Sequence, residues 1–162
     1  MRWMRWWWPA LVWAALITSF STDPFSAEHT SRLIVPFLRW LFPHAAPDTL
    51  ALAHHLIRKA AHVCEYFIFS VLVVRGVRGG RSGWRVGWSL AALAMAAGWA
   101  GLDELHQAFV PSRGPSVMDV LIDACGAAAG QLAFAAIVLF RSRRSGAGRD
   151  APVDSAGSRG AS

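Results

Sequence analysis

The chain has 162 residues, of which 54% are hydrophobic and 16% are charged, and its formal net charge is +6. Soluble domains are about one quarter charged, so the composition argues against a soluble all-α protein and favours a membrane protein. The basic residues are grouped beside apolar stretches, a pattern that indicates membrane topology rather than a surface for nucleic acid.

Four apolar stretches are predicted to be transmembrane helices, because about 20 apolar residues cross a hydrocarbon core roughly 30 Å thick. They cover residues 6–21, 60–74, 86–105 and 117–140. The first could instead be a cleaved secretory signal, but no A-x-A-like cleavage site follows it. The predicted fold is therefore all-α: an integral membrane bundle of four helices in residues 1–140, followed by a disordered cytoplasmic tail in residues 141–162.

The loop between the first two spans is predicted to contain a short interfacial helix. Its segment SRLIVPFLRWLF combines apolar bulk with two arginines, as helices in the headgroup layer do. Further along the same loop, Pro47 and Asp48 are typical of a helix start. We expect the helix that begins there to continue without interruption into the second span.

The distribution of charge predicts the orientation. Arginines precede the first span, separate the second from the third, and follow the fourth; cationic segments of this kind stay in the cytoplasm. Both termini are then expected to be cytoplasmic in a multi-pass membrane protein. The six histidines, and all the acidic residues except Asp150 and Asp154, fall on the outer side. The chemistry is therefore expected at the outer surface.

Polar residues recur at helical spacing near the outer ends of three spans. They form three sets, one per span: His55, Lys59, His62 and Tyr66; Asp103, His106 and Gln107, with Glu104 beside them; and Ser116, Asp119 and Asp123. Because ionisable groups within a bilayer are costly, we expect them to face one another in a single pocket. Gly126 and Gly130 continue the last face and predict close approach of a neighbouring helix.

Several of these residues also have simpler interpretations. Asp119 fits a capping box with Ser116, and Arg58 and Lys59 could extend towards lipid headgroups. Glu65 could serve only as an ion-pair partner of Lys59 or of Arg113. Residues 54 and 55 could be solvated loop histidines, and the two cysteines are expected to be free, buried thiols.

Three segments resemble the VanZ-like family of bacterial membrane proteins: FSTDPFS after the first span, RKAAHVCEY in the second, and DELHQAFVPSRGPSVMDVLIDACG across the third and fourth. The resemblance covers roughly residues 7–138. It implies a multi-pass envelope protein of the bacterial cell (inner) membrane, in a family whose founding member is tied to low-level teicoplanin resistance. The motif positions are Lys59, His62, Glu65, Tyr66, Asp103, Glu104, His106, Gln107, Arg113, Asp119 and Gly126. Val63 departs from the pattern, since members more often carry an aromatic residue there.

The resemblance implies only weakly that the protein is an enzyme, through a proposed relationship to lipid-headgroup enzymes. One hypothesis is a lipid-headgroup hydrolase or transferase that acts on a membrane lipid or a lipid-linked precursor. The expected catalytic residues are His62, His106, Glu65, Asp103 and Glu104, and the expected substrate-binding residues are Lys59, Arg113, Tyr66, Gln107 and Asp119. Histidine exchanges protons near neutral pH, and arginine and lysine bind phosphate.

No cofactor is expected from the sequence. A divalent metal is a minor alternative, because His62 with Glu65 and Asp103 with His106 have a spacing that occurs in metal sites of helical bundles. The other class of function is a non-catalytic protein whose polar cluster holds the bundle together or recognises a cell-wall precursor.

Overall fold

A computed structural model of the chain describes residues 3–22, 27–109 and 116–147. Within these ranges it contains five α-helices and no strand, which confirms the all-α prediction. The helices are α1 (Met4–Phe20), α2 (Ala27–Leu41), α3 (Pro47–Arg78), α4 (Val86–Gln107) and α5 (Val117–Ala147).

The longest helix, α3, begins and ends where its sequence signals place it. Pro47 occupies the first turn together with Asp48, where the missing proline N–H costs nothing and the carboxylate favours the positive end of the helix dipole. Gly79 ends the helix with a positive φ of 57°, and its N–H donates to the carbonyl of Arg75. The 32-residue helix is unbroken, as predicted.

Contacts between helices separate the bundle into two chemically different ends. Ser21, at the end of α1, meets Asp103, near the end of α4, and Lys59 of α3 meets Asp119 of α5; we call this the polar end. At the opposite end, Trp6 of α1 lies against Gly80, just beyond α3. This arginine end carries Arg5, Arg75, Arg78, Arg81 and Arg85.

Helix α3 is the centre of the bundle and contacts each of the other four helices. Its residues Tyr66, Val73 and Val74 are essentially inaccessible to solvent. They pack with Ala92, Ala96 and Ala100, which recur every four residues on one side of α4. Small residues at this spacing let two helices approach closely along their length.

The outer surface of the bundle is apolar. Leu90, Leu132 and Trp8 are more than half exposed, which is typical of a surface that faces lipid rather than water. By length and composition, Pro47–Arg78 and Val117–Arg144 could each cross a membrane. The described residues thus contain two candidate spans, and the prediction of four is taken up below as a proposal.

Helix α2 forms where the sequence predicts a short helix in the first outer loop. Its residue Leu38 is buried, whereas Leu33, Phe37 and Trp40 are exposed by 78%, 59% and 75%. The helix is therefore confirmed, and its location in the headgroup layer stays a prediction.

The boundary predicted for the tail is wrong in one respect. Helix α5 continues past residue 140 to Ala147, so the first residues assigned to the tail are helical. The rest of the predicted tail, residues 148–162, lies outside the described residues.

Candidate functional site

Two helices, α3 and α5, contribute facing polar residues at the polar end. The ammonium of Lys59 forms an ion pair with Asp119, and each side chain is about one quarter exposed. One turn deeper, Nδ1 of His62 lies 3.5 Å from Oδ1 of Asp123. The predicted face of α3 therefore meets the predicted face of α5.

Glycine makes this meeting possible. A Cβ on Gly126 would lie 2.5 Å from the carbonyl oxygen of Val63, and one on Gly130 would lie 2.6 Å from that of Phe67. Real side chains do not approach backbone so closely, so these two positions must remain glycine for the helices to touch. This glycine seam confirms the predicted close approach and identifies α3 as the neighbour.

Several polar atoms beside the seam are buried without a hydrogen-bond partner in the described part of the chain. They are the hydroxyl of Tyr66, Nδ1 of His62, both carboxylate oxygens of Asp123 and Oε1 of Gln131. Nδ1 of His62 and Oδ1 of Asp123 face each other at 3.5 Å without forming a hydrogen bond. Tyr66 is fully buried and Asp123 is 1% exposed. Because buried polar groups are nearly always satisfied, this constellation has spare capacity for water or for a bound group.

A second set of contacts joins the ends of α1 and α4. The hydroxyl of Ser21 lies 2.6 Å from both carboxylate oxygens of Asp103. The amide of Gln107 donates to Asp103 at 3.0 Å and to the Ser21 oxygen at 3.3 Å. All three side chains are at most 5% exposed, so this triad holds the two helix ends together.

The start of α5 is attached to the end of α4. The backbone N–H of Ser116 donates to Glu104 at 2.7 Å, and the N–H of Asp119 donates to the Ser116 hydroxyl at 3.3 Å. Half of the predicted capping box is therefore present. The other half is replaced, because Glu104 takes the Ser116 N–H and the Asp119 carboxylate pairs with Lys59.

A cavity of about 240 Å³ opens between α1, α2 and α3 at the polar end. Its lining residues are Phe20, Ser21, Thr30, Ile34, Ile57, Arg58, Ala61, His62 and Glu65. Arg58 donates to the Thr30 hydroxyl at 3.1 Å, which ties α3 to α2 across the cavity. The wall is thus apolar in one part and charged in another, a combination that suits an amphiphilic ligand.

Comparison with models of known protein families shows that residues 6–141 match the VanZ/LLP1 family. The chain belongs to the VanZ/LLP1 family. No match was found among curated proteins or among solved structures. The matched range contains the cavity, the seam and the triad, so the whole candidate site of this VanZ/LLP1 protein lies inside the family region.

In this VanZ/LLP1 protein, the predicted site residues separate into groups with different surroundings. His62 and Glu65 line the cavity, and Tyr66 lies buried one turn below His62. Lys59 and Asp119 form the ion pair beside it. The other predicted residues of α4 bond to the ends of neighbouring helices: Asp103 and Gln107 contact Ser21, and Glu104 accepts from the Ser116 N–H.

The expectation that His106 shares a pocket with His62 is corrected by the structure. Its side chain is exposed, whereas Asp103, Glu104 and Gln107 are buried. At about 100° per residue, these three side chains cover one arc of α4, and His106 lies about 110° from the centre of that arc. Arg113, the other predicted phosphate ligand, lies outside the described residues.

Three residues of the site were not assigned a catalytic or substrate-binding role from the sequence, although Asp123 was expected to face the pocket. Arg58 lines the cavity, Asp123 faces His62, and Ser21 joins the triad. Two features of the sequence point to roles for Asp123 and Ser21. Asp123 is an acid well inside a predicted span, where a charge is costly, and Ser21 belongs to the FSTDPFS segment.

The cysteines and the potential metal ligands complete the description. Cys64 and Cys125 are both free, as expected, but they are exposed rather than buried. Among the described residues, no group of three or more His, Cys, Asp or Glu side chains is arranged to hold a metal ion.

Proposed function

We propose that this VanZ/LLP1 protein crosses the bacterial cell membrane four times, through α1, α3, α4 and α5, with both termini in the cytoplasm. Helix α3 rises about 29 Å between Lys59 and Arg78, close to the thickness of the hydrocarbon core. The cluster of arginines at one end supports a cytoplasmic location for that end. The polar end then faces outward.

We further propose that the cavity at the polar end binds the phosphorylated headgroup of a lipid or of a lipid-linked envelope precursor. One observation carries this proposal: Arg58, His62 and Glu65 share a cavity with Phe20 and Ile34. A guanidinium binds phosphate through paired N–H donors, and the apolar wall suits the start of an acyl or isoprenoid chain. Arg58 lines the cavity and Lys59 does not, so Arg58 takes the role that the sequence suggested for Lys59.

His62 is the proposed acid or base of a headgroup hydrolase or transferase. It lines the cavity, and its Nδ1 faces the buried carboxylate of Asp123 at 3.5 Å. A buried acid behind an imidazole fixes the ring orientation and stabilises the protonated form during proton transfer. By changing an envelope headgroup or precursor, such an activity would alter susceptibility to glycopeptide antibiotics. No cofactor is required by this scheme.

The alternative, a non-catalytic binding or organising protein, is favoured by a different observation. The Ser21–Asp103–Gln107 triad, the Glu104–Ser116 contact and the Lys59–Asp119 pair all join one helix to another. These polar residues therefore hold the helices of the bundle together. In this case the cavity would recognise a lipid-linked precursor without changing it.

Lipid analysis of cells with and without the protein tests the proposal and separates the two classes. A deletion strain is complemented with wild type, with His62→Asn, or with His55→Asn as the matched control, since His55 is exposed on the same helix. We expect deletion to accumulate one phosphate-bearing lipid, wild type and H55N to remove it, and H62N to fail at equal expression.

Each other outcome contradicts a defined part of the proposal. If H62N removes the lipid as wild type does, His62 is not the acid or base. If deletion changes no lipid, catalysis is refuted, and binding is then tested with Arg58→Gln by the retention of radiolabelled lipid-linked precursor on the purified protein. Retention equal to that of wild type refutes the cavity as the headgroup site.

A further inference from the structure

A second cavity, at the arginine end, has no role in the function proposed above. It has a volume of about 330 Å³ and lies between α1, α3 and α5. Leu72 and Phe134 form its apolar part, and Arg75 and Arg78 lie one and two turns further towards the end of α3. From the middle of the bundle outward, the cavity is therefore first apolar and then cationic.

The walls of this cavity are built from an aromatic residue and a glycine. Trp6 lines it, with the guanidinium of Arg75 at 5.5 Å and that of Arg5 at 4.8 Å from the ring centroid. A Cβ on Gly80 would lie 2.4 Å from the Trp6 ring, and Gly80 has a φ of 84°. Glycine is required there on both counts, because it lets the ring pack closely and adopts the left-handed conformation readily.

The two arginines of the cavity have N–H donors that the described hydrogen bonds do not use. Each guanidinium carries five N–H donors. Within the described residues, Arg75 donates to one backbone carbonyl, that of Arg5, and Arg78 to one, that of Arg81. The described aspartates and glutamates belong to the polar half of the bundle. By contrast, Arg81 already caps α3 through the carbonyls of Val77 and Arg78.

We propose that this cavity binds one anionic phospholipid, with its phosphate between Arg75 and Arg78 and the start of its acyl chains against Leu72 and Phe134. The order of apolar and cationic surface matches the order of chain and phosphate in a lipid lying parallel to α3. Basic pockets between transmembrane helices on the cytoplasmic side bind anionic headgroups in the same way. Charge complementarity thus favours an anionic lipid over a zwitterionic one.

Native mass spectrometry of the purified, delipidated full-length protein tests this proposal. The probes are dioleoyl phosphatidylglycerol and dioleoyl phosphatidylcholine, added separately. The test variant is Arg75→Gln with Arg78→Gln; the matched control is Arg143→Gln with Arg144→Gln, which removes the same charge from exposed positions at the same end. All are also measured with Arg58→Gln, so that phosphatidylglycerol bound at the polar end is distinguished.

We expect the test variant to bind phosphatidylglycerol about 30-fold more weakly than wild type, since each of the two cations near the headgroup contributes about a factor of five. The control should stay within twofold of wild type, and phosphatidylcholine should bind more weakly than phosphatidylglycerol. An equal loss in test and control variants would overturn the proposal in favour of diffuse surface charge. Unchanged binding by the test variant, or equal binding of both lipids, would also overturn it.

If the double variant cannot be purified, Leu72→Trp provides the test, because it fills the cavity and keeps both arginines. We expect the same preferential loss of phosphatidylglycerol, and wild-type binding by this variant would refute the site. Neither result depends on the headgroup chemistry proposed for the polar end, because that site involves different helix ends.

Discussion

Replacing Gly126 by alanine tests whether direct contact between α3 and α5 holds the site together. The added Cβ would lie 2.5 Å from the carbonyl oxygen and 3.0 Å from Cα of Val63. To reach ordinary contact distance, the helices must separate by about 1 Å. Backbone atoms cannot rotate away as a flexible side chain would, so the strain passes to the whole seam.

The expected loss of stability follows from two opposing effects. Overpacking of a helix contact costs about 1–3 kcal/mol, and alanine gains up to about 1 kcal/mol over glycine inside a helix. Because the obstacle is backbone, we expect a net loss of about 2 kcal/mol. At roughly 2–4 °C per kcal/mol for a chain of this size, the melting temperature should fall by about 4–8 °C.

The assay is thermal unfolding of the detergent-solubilised protein, followed by the fluorescence of its nine tryptophans. The matched control is Gly98→Ala in α4, where an added Cβ would meet nothing within 4 Å. This variant should be as stable as wild type or slightly more stable. If G126A melts at or above G98A, the helices do not touch at this seam, and the facing of His62 and Asp123 that depends on it is wrong.

Two further predictions concern the polar end. Ser21→Ala removes a hydroxyl that bonds to both Asp103 and Gln107. We expect it to lower the free energy of unfolding by about 1–3 kcal/mol, because a buried carboxylate loses a hydrogen-bond donor. The control is Ser19→Ala, since the Ser19 hydroxyl is exposed and bonds within its own helix. An equal effect of both changes would refute the triad. The pair of Lys59 and Asp119 is partly exposed, so a double-mutant cycle with K59M and D119N should give a coupling energy of about 0.5–1 kcal/mol. A coupling near zero would mean that the two side chains do not interact.

The start of α3 and the glycine seam were predictable because both depend on local patterns. Pro47 and Asp48 favour a helix start in any context. Gly126 and Gly130, four residues apart, present a flat strip wherever the helix lies. The helix that packs against these glycines could not be predicted, because it depends on how four helices pack together and not on the pattern of one helix.

The direction in which His106 faces was harder to predict. Residue spacing gives the angles between side chains within one helix, but it does not give how that helix is rotated in the bundle. Two arcs of α4 are equally consistent with the sequence, one containing His106 and the other Glu104. Burial selects the second arc, since Asp103, Glu104 and Gln107 are buried and each bonds to a residue outside α4, either Ser21 or Ser116. The sequence pattern therefore identified the polar end but not which of its side chains face inward.

The position of Asp123 has a consequence for how the chain is made. In the proposed topology, a carboxylate in the second turn of the last transmembrane helix disfavours insertion by up to about 3 kcal/mol, and this acid lies opposite His62 on a helix synthesised some sixty residues earlier. Helix α5 consequently gains a suitable environment for its carboxylate only when α3 is already in place to receive it. During biosynthesis, stable insertion of the last helix would therefore follow insertion of α3, and it would depend on an intact N-terminal half.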